Sequence, residues 1–148
     1  MSLSSEEQRL ALKLFTVLVR THNTLMETDR RDIRQYGLNQ TEFAVLELLY
    51  HRDSYPLQQI GEKILITSGS ITYVINKLEQ KGLLARTPCA EDRRVIYASL
   101  TEQGRRLIGE IFPRHADALT QALRGLTTAE MAQAIALLKK IGYHQHQP

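Results

Sequence analysis

Residues 67–104 read TSGSITYVINKLEQKGLLARTPCAEDRRVIYASLTEQG, and this stretch decides the fold that we predict. Its apolar residues first follow the period of a helix, then alternate, and then return to the period of a helix. The first helical stripe, at spacing i, i+3, i+4 and i+7, consists of Ile71, Val74, Ile75 and Leu78. Gly82 follows this stripe and predicts the end of the helix.

The opposite face of this helix is polar and carries no carboxylate. Hydroxyl, amide and cationic side chains are those that contact base edges and phosphates when a helix lies in the major groove of DNA. The residues of this helix that we predict to contact DNA are Ser68, Ser70, Thr72, Tyr73, Asn76 and Lys77. The alternative is a helix face that is merely solvated.

Two short strands are predicted directly after this helix, over Leu83–Thr87 and Val95–Leu100. The segment between them, Pro88–Arg94, is rich in charge and predicts the tip of a hairpin. A helix that is followed at once by a charged β-hairpin is the arrangement of a winged helix. The sequence therefore predicts a mostly α-helical fold with a small β-hairpin wing.

The segment before this stretch predicts the first half of a helix-turn-helix. Pro56 suits the first turn of a helix, and Leu57 and Ile60 lie on one buried edge of it. His51–Tyr55 predicts a polar loop ahead of this short helix, and Thr67 predicts the cap of the next one. Two short helices with a tight connection form a helix-turn-helix.

A long helix is predicted at the start of the chain. Ser4 and Glu7 form a predicted capping box, and the helix runs to about Tyr36. Its segment Leu10–Val19 is apolar on most of its circumference, so it must be covered from more than one side. One small domain cannot do this alone, and we therefore predict a partner chain.

Three further helix starts are marked by capping residues. Asn39 and Glu42 predict a capping box before a nearly all-apolar helix, which we expect to be the central helix of the core. After the wing, Thr101 predicts the cap of one helix, and Thr127 with Glu130 predicts the capping box of the last.

Composition and charge agree with one soluble, DNA-binding domain. The 148 residues are 43% hydrophobic and 24% charged, within the range of globular proteins. The segment from Lys77 to Arg106 carries seven cations and four anions, so the whole formal charge of +3 lies there. No long uncharged apolar segment and no signal-peptide pattern is present, which predicts a cytoplasmic protein without a membrane partner.

The sequence does not predict an enzyme. Its one cysteine, Cys89, excludes an internal disulfide and a zinc cluster of several thiolates. We find no Ser-His-Asp order, no phosphate-binding loop and no paired carboxylates at a useful spacing. We therefore predict no catalytic residue, no cofactor and no metal site.

Several fixed spacings within residues 70–104 agree at once with a known pattern. The pattern is S-x-T-x-x-x-x-x-L-E-x-K-G-L-[LIV]-x-R, then D-R-R, then L-T-x-x-G. The residues that carry it are Ser70, Thr72, Leu78, Glu79, Lys81, Gly82, Leu83, Leu84, Arg86, Asp92, Arg93, Arg94, Leu100, Thr101 and Gly104. In these motifs the chain resembles the MarR family of bacterial transcriptional regulators, and most of all the branch named for hydroquinone-type compounds.

The resemblance implies one domain, residues 1–148, that works as a homodimer. It implies a winged helix-turn-helix DNA-binding lobe over residues 38–104 and helical dimerisation regions over residues 1–36 and 105–142. Two lobes related by a two-fold axis predict an imperfect palindrome in double-stranded DNA, with half-sites ~10 base pairs apart.

The resemblance also assigns roles at the wing. It implies that Arg94 enters the minor groove, that Asp92 holds Arg94 in place, and that Arg93 contacts phosphate. Arg86 completes the predicted set of DNA contacts. Family members often have Asp-Pro early in this loop, whereas here Pro88 precedes the cysteine, which leaves the path of the wing open.

A small aromatic effector is the further partner that the resemblance implies. Family members commonly bind phenolic or aromatic acids in a cleft between the dimer arms and the DNA-binding lobe. The predicted cleft residues are His22, Met26, Tyr36, Phe43 and Tyr50. The implied function is a repressor that phenolic or quinone-like compounds release from DNA.

Three alternatives stay open at this point. The five cleft residues can equally be ordinary core residues. Cys89 lies near the cations of the wing, which favour a reactive thiolate, so it is a candidate redox or electrophile sensor. A winged helix can also serve only for contact with another protein.

Overall fold

The computed structural model of the chain describes residues 5–64 and 71–145, with side chains to residue 142. Its elements in chain order are α1 (Glu6–Arg34), α2 (Gln40–Arg52), β1 (Ser54–Pro56), α3 (Leu57–Lys63), α4 (Ile71–Gln80), β2 (Leu84–Pro88), β3 (Ile96–Leu100), α5 (Glu102–Ala122) and α6 (Thr128–Gln145). Within the described residues, no helix combines the length and the apolar character that crossing a membrane requires.

The capping residues account for where most helices begin. Asn39 and Glu42 form the predicted capping box of α2, since Asn39 Oδ1 accepts from Glu42 N at 2.8 Å and Glu42 Oε1 accepts from Asn39 N at 3.3 Å. Thr101 Oγ1 accepts from Gly104 N at 3.0 Å and caps α5. The predicted capping box of α6 is also present, because Thr127 Oγ1 accepts from Glu130 N at 3.1 Å and Glu130 Oε2 accepts from Thr127 N at 3.3 Å.

The start of α1 differs from the prediction by one residue. Its N-cap is Ser5, whose Oγ accepts from Gln8 N at 3.2 Å. Ser4, which we predicted to cap the helix, lies outside the described residues. The sequence Ser-Ser-Glu-Glu offers two adjacent hydroxyls, and the pattern alone does not choose between them.

The core forms around α2, as its apolar sequence predicts. Residues of α1, α4, α5 and the sheet pack against it, and α3 packs on the sheet and adds Ile60 to the same core. The buried apolar residues are Ile33, Leu38, Phe43, Val45, Leu46, Leu49, Ile60, Ile64, Val74, Ile75, Leu78, Leu83, Leu84, Ala98, Ile108 and Ile111. The predicted stripe of α4 thus supplies three buried residues, with Ile71 partly buried beside them.

The sheet has three strands, whereas the sequence predicts two. The strands are antiparallel in the order β1-β3-β2, and Ser54, Tyr55 and Pro56 pair with Ser99, Ala98 and Tyr97. Two predictions are therefore corrected. Residues 51–55 were predicted to be a loop but contain the end of α2 and the start of β1, and Pro56 was predicted to lie in the first turn of a helix but ends β1. Proline is accepted at this position because an edge strand does not need every backbone N–H for pairing. The strand was not predicted because its pairing partner β3 lies far along the chain, so the sequence near residue 54 carries no pattern that indicates it.

The predicted hairpin is confirmed, with each strand starting one residue later than expected. Strand β2 pairs with β3 from Leu84↔Leu100 to Pro88↔Ile96. The tip is closed by Cys89 N, which donates to the Val95 carbonyl at 2.8 Å. A mostly helical chain with this small antiparallel sheet is the predicted winged helix-turn-helix.

Two helical regions extend beyond the core. Both carry large apolar side chains that are exposed in the single chain, and α5 continues through Pro113. On α1 these side chains are Leu10, Leu12, Leu14, Phe15, Val17 and Val19. On α6 they are Ile135, Leu137, Leu138 and Ile141.

Candidate nucleic-acid interface

The exposed face of α4 carries four of the residues predicted to contact DNA. Thr72, Tyr73, Asn76 and Lys77 are all exposed, and Lys77 Nζ lies 5.8 Å from the centroid of the Tyr73 ring. These residues are exposed because the apolar stripe of the same helix faces the core. Ser68 and Ser70 lie outside the described residues.

The Arg94 side chain projects from the hairpin tip into solvent, and Asp92 of the same tip holds it in place. The Arg94 side chain is 91% exposed, its Nε lies 3.1 Å from Asp92 Oδ1, and its Nη2 lies 3.3 Å from Asp92 Oδ2. The Arg94 backbone N–H also donates to Asp92 Oδ1 at 3.1 Å. The two-pronged contact orients the guanidinium while its far side stays open to a ligand.

The electrostatics of this contact favour a charged carboxylate. The hydrogen bonds from the Arg94 side chain, and then from its backbone N–H, lower the pKa of the Asp92 carboxyl because they stabilise its ionised form. The wing is also attached to α3, since Gln58 Nε2 donates to the Arg94 carbonyl at 3.3 Å.

The other two cations of the predicted set differ in exposure. Arg93 is exposed at the hairpin tip. Arg86 is half-buried on β2, where its Nη2 donates to Asn76 Oδ1 and its Nε lies 3.3 Å from Glu79 Oε2. The structure therefore brings Arg86 against α4, and it leaves Arg93 and Arg94 at the tip.

An ion pair between the exposed Lys81 and the buried Glu42 holds the segment that follows α4. Lys81 Nζ lies 2.6 Å from Glu42 Oε2, and it donates to the Gly37 carbonyl at 3.1 Å. The Glu42 side chain is only 8% exposed, and the same carboxylate caps α2. This contact joins the segment after α4 to the turn between α1 and α2 and to the start of α2.

The five predicted cleft residues do not meet in one place. His22 is exposed on α1, Tyr36 packs half-buried against the core, and Tyr50 lies 6.4 Å from Phe112 between ring centroids. Met26 contacts Gln40 through its carbonyl at 3.4 Å. Of the five, Phe43 lines a cavity that is partly open to solvent.

This cavity lies between α1, α2 and α5 and has a volume of about 250 Å³. Its lining combines apolar and aromatic side chains with a small polar group at one wall. The residues around it are Asp29, Ile33, Gln40, Phe43, Ala44, Glu47, Phe112, His115, Ala116 and Leu119. Its volume suits a single aromatic ring, since sites for drug-sized ligands are usually ~300–1,000 Å³.

The polar wall is a buried histidine between two carboxylates, which sequence reasoning missed. His115 Nε2 lies 3.1 Å from Asp29 Oδ1, and Nδ1 lies 2.8 Å from Asp32 Oδ2. Gln40 Nε2 donates to Asp29 Oδ2 at 2.6 Å, and the Phe43 ring lies 4.5 Å from the imidazole centroid. Only the imidazolium form donates from both ring nitrogens.

A signal for this cluster is present in the sequence. His115 is spaced four residues from Ile111 and from Leu119, on the apolar stripe of α5. Asp29 is likewise four residues before Ile33, on the inward face of α1. A histidine and an acid on two inward faces indicate a buried pair when the helices pack together.

Cys89 lies at the base of the hairpin tip and is half-buried. Together with Pro88, Ala90 and Arg93 it lines a shallow depression of the surface. Cys89 is thus accessible from the side of the wing, and it does not line the cavity beside Phe43.

Comparison with known proteins places this geometry in a family. A model of the MarR family matches residues 38–96. The transcriptional regulator MhqR of Bacillus subtilis is 48% identical over 137 residues, which covers 93% of this chain and 94% of MhqR. This match also confirms the branch that the sequence motifs indicate.

Solved structures have the same fold. BpsR of Bordetella bronchiseptica, whose DNA binding is regulated by 6-hydroxynicotinic acid, is 26% identical with a TM-score of 0.76, and 86% of this chain and 91% of that one are covered. Sco3205 of Streptomyces coelicolor, solved with DNA, is 21% identical with a TM-score of 0.80, covering 100% of this chain and 92% of that one. With 48% identity along nearly all of MhqR, the chain belongs to the MarR family of DNA-binding transcriptional regulators, which is not a family of enzymes.

Proposed function

We propose that the chain is a cytoplasmic, homodimeric repressor that binds a palindromic operator and leaves it when a phenolic or quinone-like compound binds. The observation that carries this proposal is a pair of projecting elements, the polar face of α4 and the wing with its oriented Arg94. A helix for the major groove and an arginine for the adjacent minor groove are the two elements that a winged helix needs to recognise duplex DNA.

The exposed apolar side chains of α1 and α6 support the homodimer. Phe15 is 67% exposed in the single chain, and Leu12 and Leu137 are each 54% exposed. Leaving so many large apolar groups in water is unfavourable, and contiguous patches of this kind mark protein interfaces. A second copy of the same surface would cover them and would set two recognition helices on one side of the dimer.

Replacing Arg94 with alanine tests the DNA contact. We expect roughly a 30-fold or greater loss of operator affinity, because each of the two wings loses an arginine contact worth about 1–3 kcal/mol. The dependence of affinity on salt should flatten by about one unit of slope per wing. Fluorescence anisotropy on a footprinted operator, at several salt concentrations, measures both quantities.

Arg124→Ala is the matched control, because it removes the same charge from the exposed connection before α6. It should bind the operator like the wild type. Equal affinities for wild type and Arg94→Ala would instead favour a winged helix that contacts only protein. The footprint itself should show two half-sites ~10 base pairs apart if the DNA-binding species is the dimer.

The cavity beside His115 supports the effector part of the proposal. It is bounded by the arm helices α1 and α5 and by the core helix α2, so a ring bound there contacts both the dimer arm and the DNA-binding lobe. Such a ligand releases DNA only if it binds the non-binding arrangement of the two lobes more tightly. The regulation of BpsR by an aromatic acid supports this class of ligand.

A variant that fills the cavity should still bind DNA but should no longer be released from DNA by the effector. We expect Ala116→Phe to keep operator affinity within about threefold of the wild type while losing at least ~90% of the release by a phenol or quinone, because an aromatic ring would occupy the space. Anisotropy titrations with quinones, phenols and peroxide measure release. Cys89→Ser should respond like the wild type, and a loss of response only in that variant would support thiol sensing instead.

A further inference from the structure

Arg86 occupies an unusual place for a residue of a DNA-binding surface. It lies on β2 behind the recognition helix, and its side chain is 27% exposed, compared with 91% for Arg94. Its guanidinium is directed at α4 rather than at solvent. Arg86 Nη2 donates to Asn76 Oδ1, and Arg86 Nε lies at an ion-pair distance of 3.3 Å from Glu79 Oε2, although its N–H is not aligned for a hydrogen bond.

This contact determines which way the Asn76 amide is turned. A guanidinium has five N–H donors and no acceptor, so it can face only the oxygen of the amide. The Asn76 oxygen is therefore turned inward, and the Nδ2 group, which only donates, is left toward the exposed side of α4. Glu79 is an exposed carboxylate of α4, which corrects the expectation of a polar face without carboxylates, and Arg86 offsets its charge, which would otherwise repel phosphate.

The orientation restricts the bases that Asn76 can read. A freely rotating asparagine pairs with adenine in the major groove, because it donates to N7 and accepts from N6 at the same time. An amide whose oxygen faces Arg86 can only donate. It suits an edge that presents acceptors and no amino group, such as N7 and O6 of guanine or O4 of thymine. Adenine still offers N7, but its amino group, like that of cytosine, is left without a partner.

We propose that Arg86 is a positioning residue that holds Asn76 as a donor, so that Asn76 selects a base edge with acceptors and rejects adenine. The inference rests on the proposed binding of α4 in the major groove. It also revises the prediction that Arg86 itself contacts DNA.

Selection of operators from a randomised duplex library tests this inference. Asn76→Ala changes an exposed residue and should leave folding intact. This variant should lose its base preference at one position of each half-site, and that position is the one that Asn76 reads. In the wild type this position should favour guanine or thymine over adenine by about tenfold or more. A wild-type preference for adenine at this position would overturn the proposal.

Arg86→Met tests the role of the guanidinium, because methionine keeps much of the length and donates nothing. The released amide can rotate, so discrimination against adenine at the same position should fall to about twofold or less while preferences elsewhere stay unchanged. Arg86→Lys, which can still donate to the Asn76 oxygen, should retain most of the discrimination. If Arg86→Met instead weakens all sequences equally and flattens the salt dependence, Arg86 is a phosphate contact and the proposal fails.

Base analogues identify the edge that is read. At the Asn76 position, 7-deazaguanine removes N7 of guanine, and 5-methyl-2-pyrimidinone removes O4 of thymine. Weaker binding with either analogue supports the proposal and names the base, whereas unchanged binding with both analogues overturns it. Failure of the wild type to bind any duplex at low salt is a different result, since it would refute the proposed function itself.

Discussion

A Gly104→Ala variant should lose roughly 3 kcal/mol of folding free energy, at the upper end of the usual cost of overpacking. A Cβ at this position would lie 2.0 Å from the Leu83 carbonyl oxygen and 2.9 Å from the Leu83 carbonyl carbon. The obstructing atoms are backbone, so no side-chain rotation relieves the clash. The same oxygen accepts from Thr101 N at 3.1 Å, and this hydrogen bond holds the start of α5 on the base of the wing.

Thermal unfolding at one fixed protein concentration measures this effect, with an expected fall in Tm of about 6–12 °C. The matched control is Gly109→Ala in the same helix, where the nearest atom, Tyr50 Oη, would be 3.5 Å from the new Cβ. That variant should be neutral or slightly more stable, because alanine favours a helix by ~1 kcal/mol over glycine. Equal melting temperatures for the two variants would contradict the close approach at Gly104.

His115→Ala should destabilise the fold by a similar amount, about 3 kcal/mol, because it leaves two buried carboxylates without the imidazole that contacts both of them. The Asp29 and Asp32 side chains are only 11% and 12% exposed, so solvent cannot replace the imidazole. Equilibrium denaturation in urea measures the destabilisation. The imidazole joins α5 to α1, so the same variant should also enlarge the adjoining cavity and change its response to effectors.

Two variants distinguish the effect of charge pairing from the effect of packing. Arg114→Ala removes a neighbouring cation of α5 whose ion pair with Glu110 is exposed, and it should cost at most ~0.5 kcal/mol. Adding Asp29→Asn and Asp32→Asn to His115→Ala should recover part of the stability, because the buried charges are then gone. No recovery would mean that packing of the imidazole on the Phe43 ring, at 4.5 Å between centroids, accounts for the destabilisation.

The elements that could be predicted from the sequence depend on neighbours along the chain. The Asn39–Glu42 capping box, the Thr101 cap and the contact between Asp92 and Arg94 each join residues two or three positions apart. The stripe of α4 repeats with the helical period, and this repetition identifies both its buried and its exposed face. The exposed residues of α4 that we propose to face DNA were accessible to sequence reasoning for this reason.

Contacts between distant segments were not predictable in the same way. His115 and Asp32 are 83 positions apart, and Lys81 and Glu42 are 39 apart. Pairing of Ser54 with Ser99 turned a predicted loop into a strand, because an edge strand gains its hydrogen bonds from a partner that the local sequence does not specify. The lining of the cavity depends on such contacts as well, since the sequence indicated Phe43 but neither His115 nor Asp29.

The sequence by itself determined that this chain is a winged helix with a polar face on α4 and a cationic hairpin tip, since helical period, capping patterns and the D-R-R motif are local properties. Only the tertiary structure decided which polar groups meet: His115 with two aspartates, Lys81 with Glu42, and Arg86 with Asn76. The reason is physical. A side chain's hydrogen-bond partner is set by how helices and strands pack, and packing depends on the shape of the whole core rather than on any one segment.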